Sequence, residues 1–211
     1  MHKKLILALL SLVIMTTAAY AAPDRTGKWD AGVSVAGALS TDDEIDSTVQ
    51  IGGNVAYGVT EWFAVGFEGG WQNHGSDDAA VAGTTIAGPD ITGVPLFGDL
   101  IFRVPTGQEQ FTPYGIVGLG VVVWDADDID AVILGVPVHA ETDIDTEFAA
   151  KLGGGLDWFL NDNWILNFEV AYVFTNPNAT ATATGGGISV TVEDDVDLDY
   201  WTIGGGLKFV F

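Results

Sequence analysis

Large apolar residues recur at every second position along most of this chain, and the positions between them are small or charged. In residues 146–159, Phe148, Ala150, Leu152, Leu156 and Trp158 share one phase, while Glu147, Ala149, Lys151, Gly153 and Asp157 share the other. In residues 164–175, Trp164, Leu166, Phe168, Val170, Tyr172 and Phe174 oppose Ile165, Asn167, Glu169, Ala171 and Thr175. A period of two places successive side chains on opposite faces of an extended strand, so this pattern predicts β-structure. Six further segments behave alike, giving strands over 28–39, 48–58, 62–73, 92–104, 111–124, 146–159, 164–175 and 200–211. No helical period is sustained after residue 25, so the fold class is all-β.

The connections alternate in length. Short ones fall at Thr60–Glu61, 105–110 and 161–163; long ones cover 40–47, 74–91, 125–145 and 176–199. Turns at one end and loops at the other are what an antiparallel up-and-down meander of eight strands requires. The long connections carry 19 of the 29 acidic residues and neither Lys nor Arg.

Alternation alone fits a soluble barrel, apolar side inward, as well as a membrane barrel, apolar side outward. Size favours the second. The apolar phase is too bulky in Trp, Phe, Tyr and Leu for an eight-stranded interior, whereas the charged phase is rich in Gly and Ala, as a narrow lumen requires. Trp29, Tyr57, Phe63, Phe102, Trp158, Trp164, Phe209 and Phe211 gather near the tight turns, and Trp71, Phe148, Tyr172, Phe174 and Trp201 near the long loops. Two such belts mark the two interfaces of a bilayer. A soluble periplasmic barrel remains a third, weaker reading.

The N-terminus adds a destination. Lys3 and Lys4 precede an apolar run from Leu5 to Met15 and a small-x-small ending at Ala19-Tyr20-Ala21, the layout of a secretory signal peptide. Residues 1–21 are therefore read as the signal and 22–211 as one barrel domain. Without Lys3 and Lys4, five basic residues face 29 acidic ones, a net charge of 5 − 29 = −24. Nucleic acid is excluded as a partner, because its phosphates would be repelled. With no cysteine in the chain, disulfides and thiolate chemistry are excluded as well.

The alternating aromatic ending WTIGGGLKFVF, the segment FTPYGIVGLG (111–120) and the strand-turn-strand 146–174 resemble the small eight-stranded outer membrane β-barrel superfamily of Gram-negative bacteria, with its OmpA-type, OmpX-like and OmpW-like members. The likeness spans the whole mature chain and implies a barrel alone, an integral outer membrane location and a monomer. It also implies that Phe211 is the signal read by the outer membrane assembly machinery. Members range from anchors and adhesins to narrow channels, so the resemblance leaves function open.

Two constellations are candidates for chemistry. The inward phase brings Asp30, Glu68, Asp99, Arg103, Glu147, Lys151, Asp157, Glu169 and Lys208 into one lumen. Ionisable groups at membrane depth are costly unless paired, so they are expected to form a salt-bridge network that closes the interior. In the loops, Asp125, Asp127, Asp128 and Asp130, with Glu193, Asp194, Asp195 and Asp197, offer oxygen ligands for weak binding of divalent cations bridging to lipopolysaccharide. Their spacing is not that of an EF-hand: Ile129 stands at a ligand position and the glycine is missing. His74 and His139 lie in loops; His139 has no Ser in its local segment and the lipid A deacylase pattern of His, x, Ser, Asn is missing, so no catalytic role and no cofactor is expected. The leading functional reading is a structural and surface-interaction protein with a closed lumen; its rival is a narrow channel for small solutes or ions.

Overall fold

The computed structural model describes residues 24–42, 45–76, 78–81, 84–104, 110–133, 135–195 and 198–211. The signal segment 1–21 and Asp197 lie outside the described residues. So do the side chains of Asp194 and Asp195, whose backbone is described. Among the described residues fourteen strands follow one another: β1 (Trp29–Ser40), β2 (Thr48–Gly58), β3 (Phe63–His74), β4 (Ala79–Val81), β5 (Thr84–Ile86), β6 (Ile91–Arg103), β7 (Phe111–Ala126), β8 (Ile129–Ile133), β9 (Val136–Ile144), β10 (Glu147–Phe159), β11 (Trp164–Phe174), β12 (Asn178–Gly185), β13 (Ile188–Asp195) and β14 (Tyr200–Val210).

Eight of these close into a barrel in the order β1-β14-β11-β10-β7-β6-β3-β2, every pair antiparallel. They match the eight expected strands to within two residues at each end. The closing seam joins β1 to β14 from Asp30↔Val210 to Ser40↔Tyr200, and Trp29 and Phe211 exchange backbone hydrogen bonds of 3.1 and 2.9 Å. Closure leaves no strand edge to face lipid.

The apolar phase points outward: Val33, Ile51, Phe67, Leu119, Phe148, Leu152, Phe168 and Ile203 are all exposed, whereas Asp30, Asp99, Lys151 and Asp157 are buried. The aromatic belts assemble as cross-strand pairs. Trp29 packs on Tyr57, Phe63 on Phe102 and Trp164 on Phe209 at one rim, and Tyr172 packs on Trp201 towards the other, with Phe174 of its own strand beside it. An apolar outer band between aromatic girdles is the inverse of a soluble barrel.

The long connections depart from expectation. Rather than loops, residues 129–144 and 178–195 form two hairpins that join into a four-stranded sheet, β13-β12-β9-β8, beyond the barrel rim, and β4 pairs with β5 in a small hairpin. The β12–β13 turn explains one of these: Gly186 and Gly187 have φ of +58° and +82°, the left-handed pair that a two-residue hairpin turn demands.

One ladder is interrupted. β3 and β6 pair from Phe63↔Phe102 to Gly69↔Leu96 and resume at Gln72↔Gly93, leaving Gly70 and Trp71 unladdered against Pro95 and Val94. Proline has no N–H to give the ladder, and Gly70 has no side chain to pack across the gap.

Candidate functional site

The lumen is layered. Its floor is built around Arg25, which the sequence places ahead of the first strand. A turn at Thr26-Gly27, with Gly27 at φ +73°, folds the chain back so that this side chain enters the barrel. There its guanidinium donates to Asp157 Oδ2 at 2.7 Å, pairs closely with Asp30, and lies 5.8 Å from the Phe159 ring centre. Gly58 makes room for it, since a Cβ there would collide with the Arg25 carbonyl. Arg103 reaches Asp30 at 3.6 Å, Lys208 reaches Asp157 at 3.4 Å, and Asn167 donates to Asp157 at 2.9 Å.

Above the floor, Asn167 also donates to the Tyr114 hydroxyl at 2.8 Å, which in turn donates to Glu169 at 2.6 Å. Lys151 stands at the centre of three carboxylates, in contact with Glu68, 3.3 Å from Asp99 and 3.7 Å from Glu169. Its ammonium also lies 5.5 Å from the Phe97 ring centre. A cavity of about 70 Å³ adjoins these groups, lined also by Ser34, Gln50 and Thr202. Eight of the nine expected lumen residues therefore join one connected network. Glu147 does not: it sits at the outer end of β10, opposite Val122, and makes no ion pair among the described residues. Arg25, Tyr114 and Asn167 are members that sequence reasoning missed. Arg25 carried no strand signal, while Tyr114 and Asn167 were visible as inward positions but carry no formal charge.

The outer third of the lumen is different in kind. Ile91, Phe97, Val122, Trp124, Ile144, Val173, Leu198 and Tyr200 pack into a buried apolar cluster, with Gln72 and His74 beside it. The interrupted stretch of the β3–β6 ladder lies at this depth, because Pro95 is the register partner of Val122.

The four-stranded sheet beyond the rim continues the cluster. Ile144 belongs to it and its partner Ala179 packs against it, so the face that carries them is the inward one. Along that face run Ile129, Ala131, Ile133, Val136, Val138, Ala140, Ala181, Ala183, Ile188, Val190 and Val192, the last three more than half exposed. The opposite face holds Asp130, His139, Glu141, Asp143, Thr180, Thr182, Thr184, Thr191 and Glu193. Thr182 bonds Thr191 at 3.0 Å and His139 Nδ1 bonds Asp130 at 2.9 Å. That bond, reinforced by the charges of Asp130, Asp128 and Glu141, raises the His139 pKa above the usual histidine value.

Of the acidic residues expected to hold a divalent cation, those with described side chains are spread over several elements. Asp125 ends β7, Asp127 and Asp128 lie in the link to β8, Asp130 pairs with His139, and Glu193 faces Thr180 on β13. Among the described residues no group of three or more His, Asp or Glu is placed to hold a metal ion. Among the described residues, Asp128 and Asp130 converge on the His139 ring, at 3.9 and 2.9 Å.

A family model described as an outer membrane protein β-barrel domain matches residues 5–209. The chain belongs to this family. It is an integral protein of the bacterial outer membrane. Among solved structures, the outer membrane protein OprG from Pseudomonas aeruginosa shares 18% identity over 89% of this chain and 97% of that one, with a TM-score of 0.69. Outer membrane protein AlkL shares 20% identity over 92% of this chain and 93% of that one, at 0.56. Outer membrane protein W of E. coli shares 18% over 89% and 99%, at 0.55. At these identities the likeness is one of fold. Among curated protein sequences none matches the chain.

Proposed function

We propose that this barrel is closed along its axis and admits small apolar solutes from the cell exterior, releasing them sideways into the membrane through its wall. The observation that carries the reading is the coincidence of three features at one depth. An apolar surface descends from the inward face of the extracellular sheet into the Phe97–Tyr200 cluster. Directly beneath it the path meets buried, paired charges that an apolar solute does not enter. Beside it the wall lacks its ladder between Gly70-Trp71 and Val94-Pro95. No catalytic role is assigned: His74 Nδ1 is bound to the Asp46 carbonyl at 2.8 Å and His139 to Asp130.

The test is uptake of the dye N-phenyl-1-naphthylamine, which fluoresces on entering lipid, into vesicles whose outer leaflet is lipopolysaccharide. Wild-type protein should accelerate uptake over protein-free vesicles. Pro95→Val, which restores a backbone donor to the ladder, should slow it several-fold. Equal rates for the two proteins would refute sideways release, and no acceleration by the wild type would refute passage altogether.

A second reading, a structural and surface-interaction protein, is favoured by one observation. The extracellular sheet presents a flat outer face of hydroxyls and carboxylates, with no Lys or Arg in β8, β9, β12 or β13. Such a face suits contact with lipopolysaccharide through bridging cations. If this reading holds, magnesium withdrawal will lower the melting temperature in lipopolysaccharide bilayers but not in phospholipid.

A further inference from the structure

The ceiling of the lumen contains an anomaly that neither hydrophobic packing nor the ion network explains. Gln72, His74, Trp124 and Tyr200 are each at least 95% buried among apolar neighbours. Yet among the described residues Gln72 Oε1 and Nε2, His74 Nε2, Trp124 Nε1 and the Tyr200 hydroxyl have no hydrogen-bond partner. The four side chains are neighbours. The His74 ring centre lies 6.2 Å from that of Trp124 and 6.4 Å from that of Tyr200. The Tyr200 hydroxyl stands beside the Gln72 amide. Gly93 brings Trp124 and Gln72 together, for a Cβ at that position would meet both, at 2.5 and 3.1 Å.

Buried polar atoms are ordinarily satisfied, and a cluster left unpaired at the centre of an apolar core is kept where something else completes it. Their surroundings indicate what. The cluster lies at the foot of the apolar inward face of the sheet and directly follows the interrupted stretch of the β3–β6 ladder, since Gln72↔Gly93 is the pair at which that ladder resumes. A cavity of about 10 Å³ already opens among Ser40, Ile45, His74, Ile91, Trp124, Leu198 and Tyr200. The quartet contains no fixed charge, and it offers an indole N–H, a carboxamide, a phenol and an imidazole nitrogen.

We infer that Gln72, His74, Trp124 and Tyr200 form a recognition site for the polar head of a small amphipathic molecule, a neutral hydroxyl or carbonyl borne on an apolar body. The inference rests on the passage reading above and narrows its solute class. An ionised carboxylate is disfavoured, because the protein is strongly acidic and the nearest network below holds three carboxylates around one lysine. The apolar body lies along Ile91, Val122, Ile144 and Leu198. The head takes the hydrogen bonds that the resting protein leaves open.

The experiment uses the full chain in lipid nanodiscs, titrated with 1-octanol and with n-octane while the Trp124 indole N–H resonance is followed. That signal is assigned by its loss in Trp124→Phe. Wild-type protein should bind octanol about tenfold more tightly than octane, the worth of roughly one net hydrogen bond, and octanol should shift the indole proton downfield. In Tyr200→Phe and Gln72→Leu, which keep side-chain shape, the octanol-to-octane ratio should fall towards one. Heat-modified gel migration confirms that each variant is folded. A wild-type ratio of one, or an unchanged ratio in both variants, overturns head recognition and leaves apolar passage standing. Binding of neither compound overturns both.

Discussion

Lys151 offers the sharpest quantitative test of the lumen network. Its side chain is 2% exposed and serves Glu68, Asp99 and Glu169 at once. Replacing it with methionine keeps the stem and removes the only cation among the described residues that contacts these three groups. Removing one partner from a buried ion pair costs about 3–5 kcal/mol, because the remaining charge is left uncompensated. Three carboxylates around one cation place Lys151→Met at the upper end of that range, even after some of them take up protons. The double change Lys151→Met, Glu169→Gln should recover part of the loss, since it removes a carboxylate that the single change strands. Equilibrium unfolding by urea in lipid vesicles, followed by tryptophan fluorescence and heat-modified gel migration, gives the free energies directly. A loss under about 1 kcal/mol for Lys151→Met would show that the cavity beside it hydrates these charges as well as the lysine does, and the network would not be what closes the lumen.

Further outcomes follow from the floor, the sheet and the seam. Gly58→Ala, which drives the Arg25 carbonyl out of its place, should raise the ionic leak measured in planar bilayers above the silent wild type, and Arg25→Ala should do the same. Because the His139 pKa is raised by its bond to Asp130, the pair's contribution to sheet stability is fully present below the unfolded histidine value of about 6.5 and is lost as pH rises through the folded one. An NMR titration should place the His139 midpoint above that of an Asp130→Asn variant. Deleting Phe211, which exchanges two backbone hydrogen bonds with Trp29 and stacks on Phe209 at 6.3 Å, should slow insertion by the outer membrane assembly machinery in a reconstituted assay. Normal insertion kinetics would remove that role from the residue.

The barrel was legible because its physics is local: lipid on one side and a crowded lumen on the other force a strict period of two on all eight strands. Eight of nine lumen charges followed from the same parity, since inward phase and proximity are nearly the same thing in so narrow a barrel. What the sequence hid has identifiable causes. Arg25 precedes the first strand and enters the lumen only because Gly27 and Gly58 turn the chain and clear its path. The apolar ceiling is hidden in the sequence because its members are scattered over several strands, Phe97 in mid-strand and Trp124 and Tyr200 at strand ends, and no local period joins them. The hairpins beyond the rim were hidden by their acidity, although ATATATG and ISVTVE alternate as plainly as any barrel strand and Gly186-Gly187 marks the turn. A run of carboxylates reads as a metal site until the fold spreads Asp125, Asp127, Asp128 and Asp130 over a strand end, a link and a second strand.

The claim that solute leaves through the wall rests on the gap between β3 and β6, and the absence of native cysteine allows that gap to be bridged reversibly. Trp71→Cys with Val94→Cys places one thiol on each side of it. The measurement is dye uptake into lipopolysaccharide-faced vesicles before oxidation, after disulfide formation and after reduction. Sideways release predicts that oxidation lowers uptake to the protein-free rate and that reduction restores it. Uptake unchanged by the bridge would contradict the account.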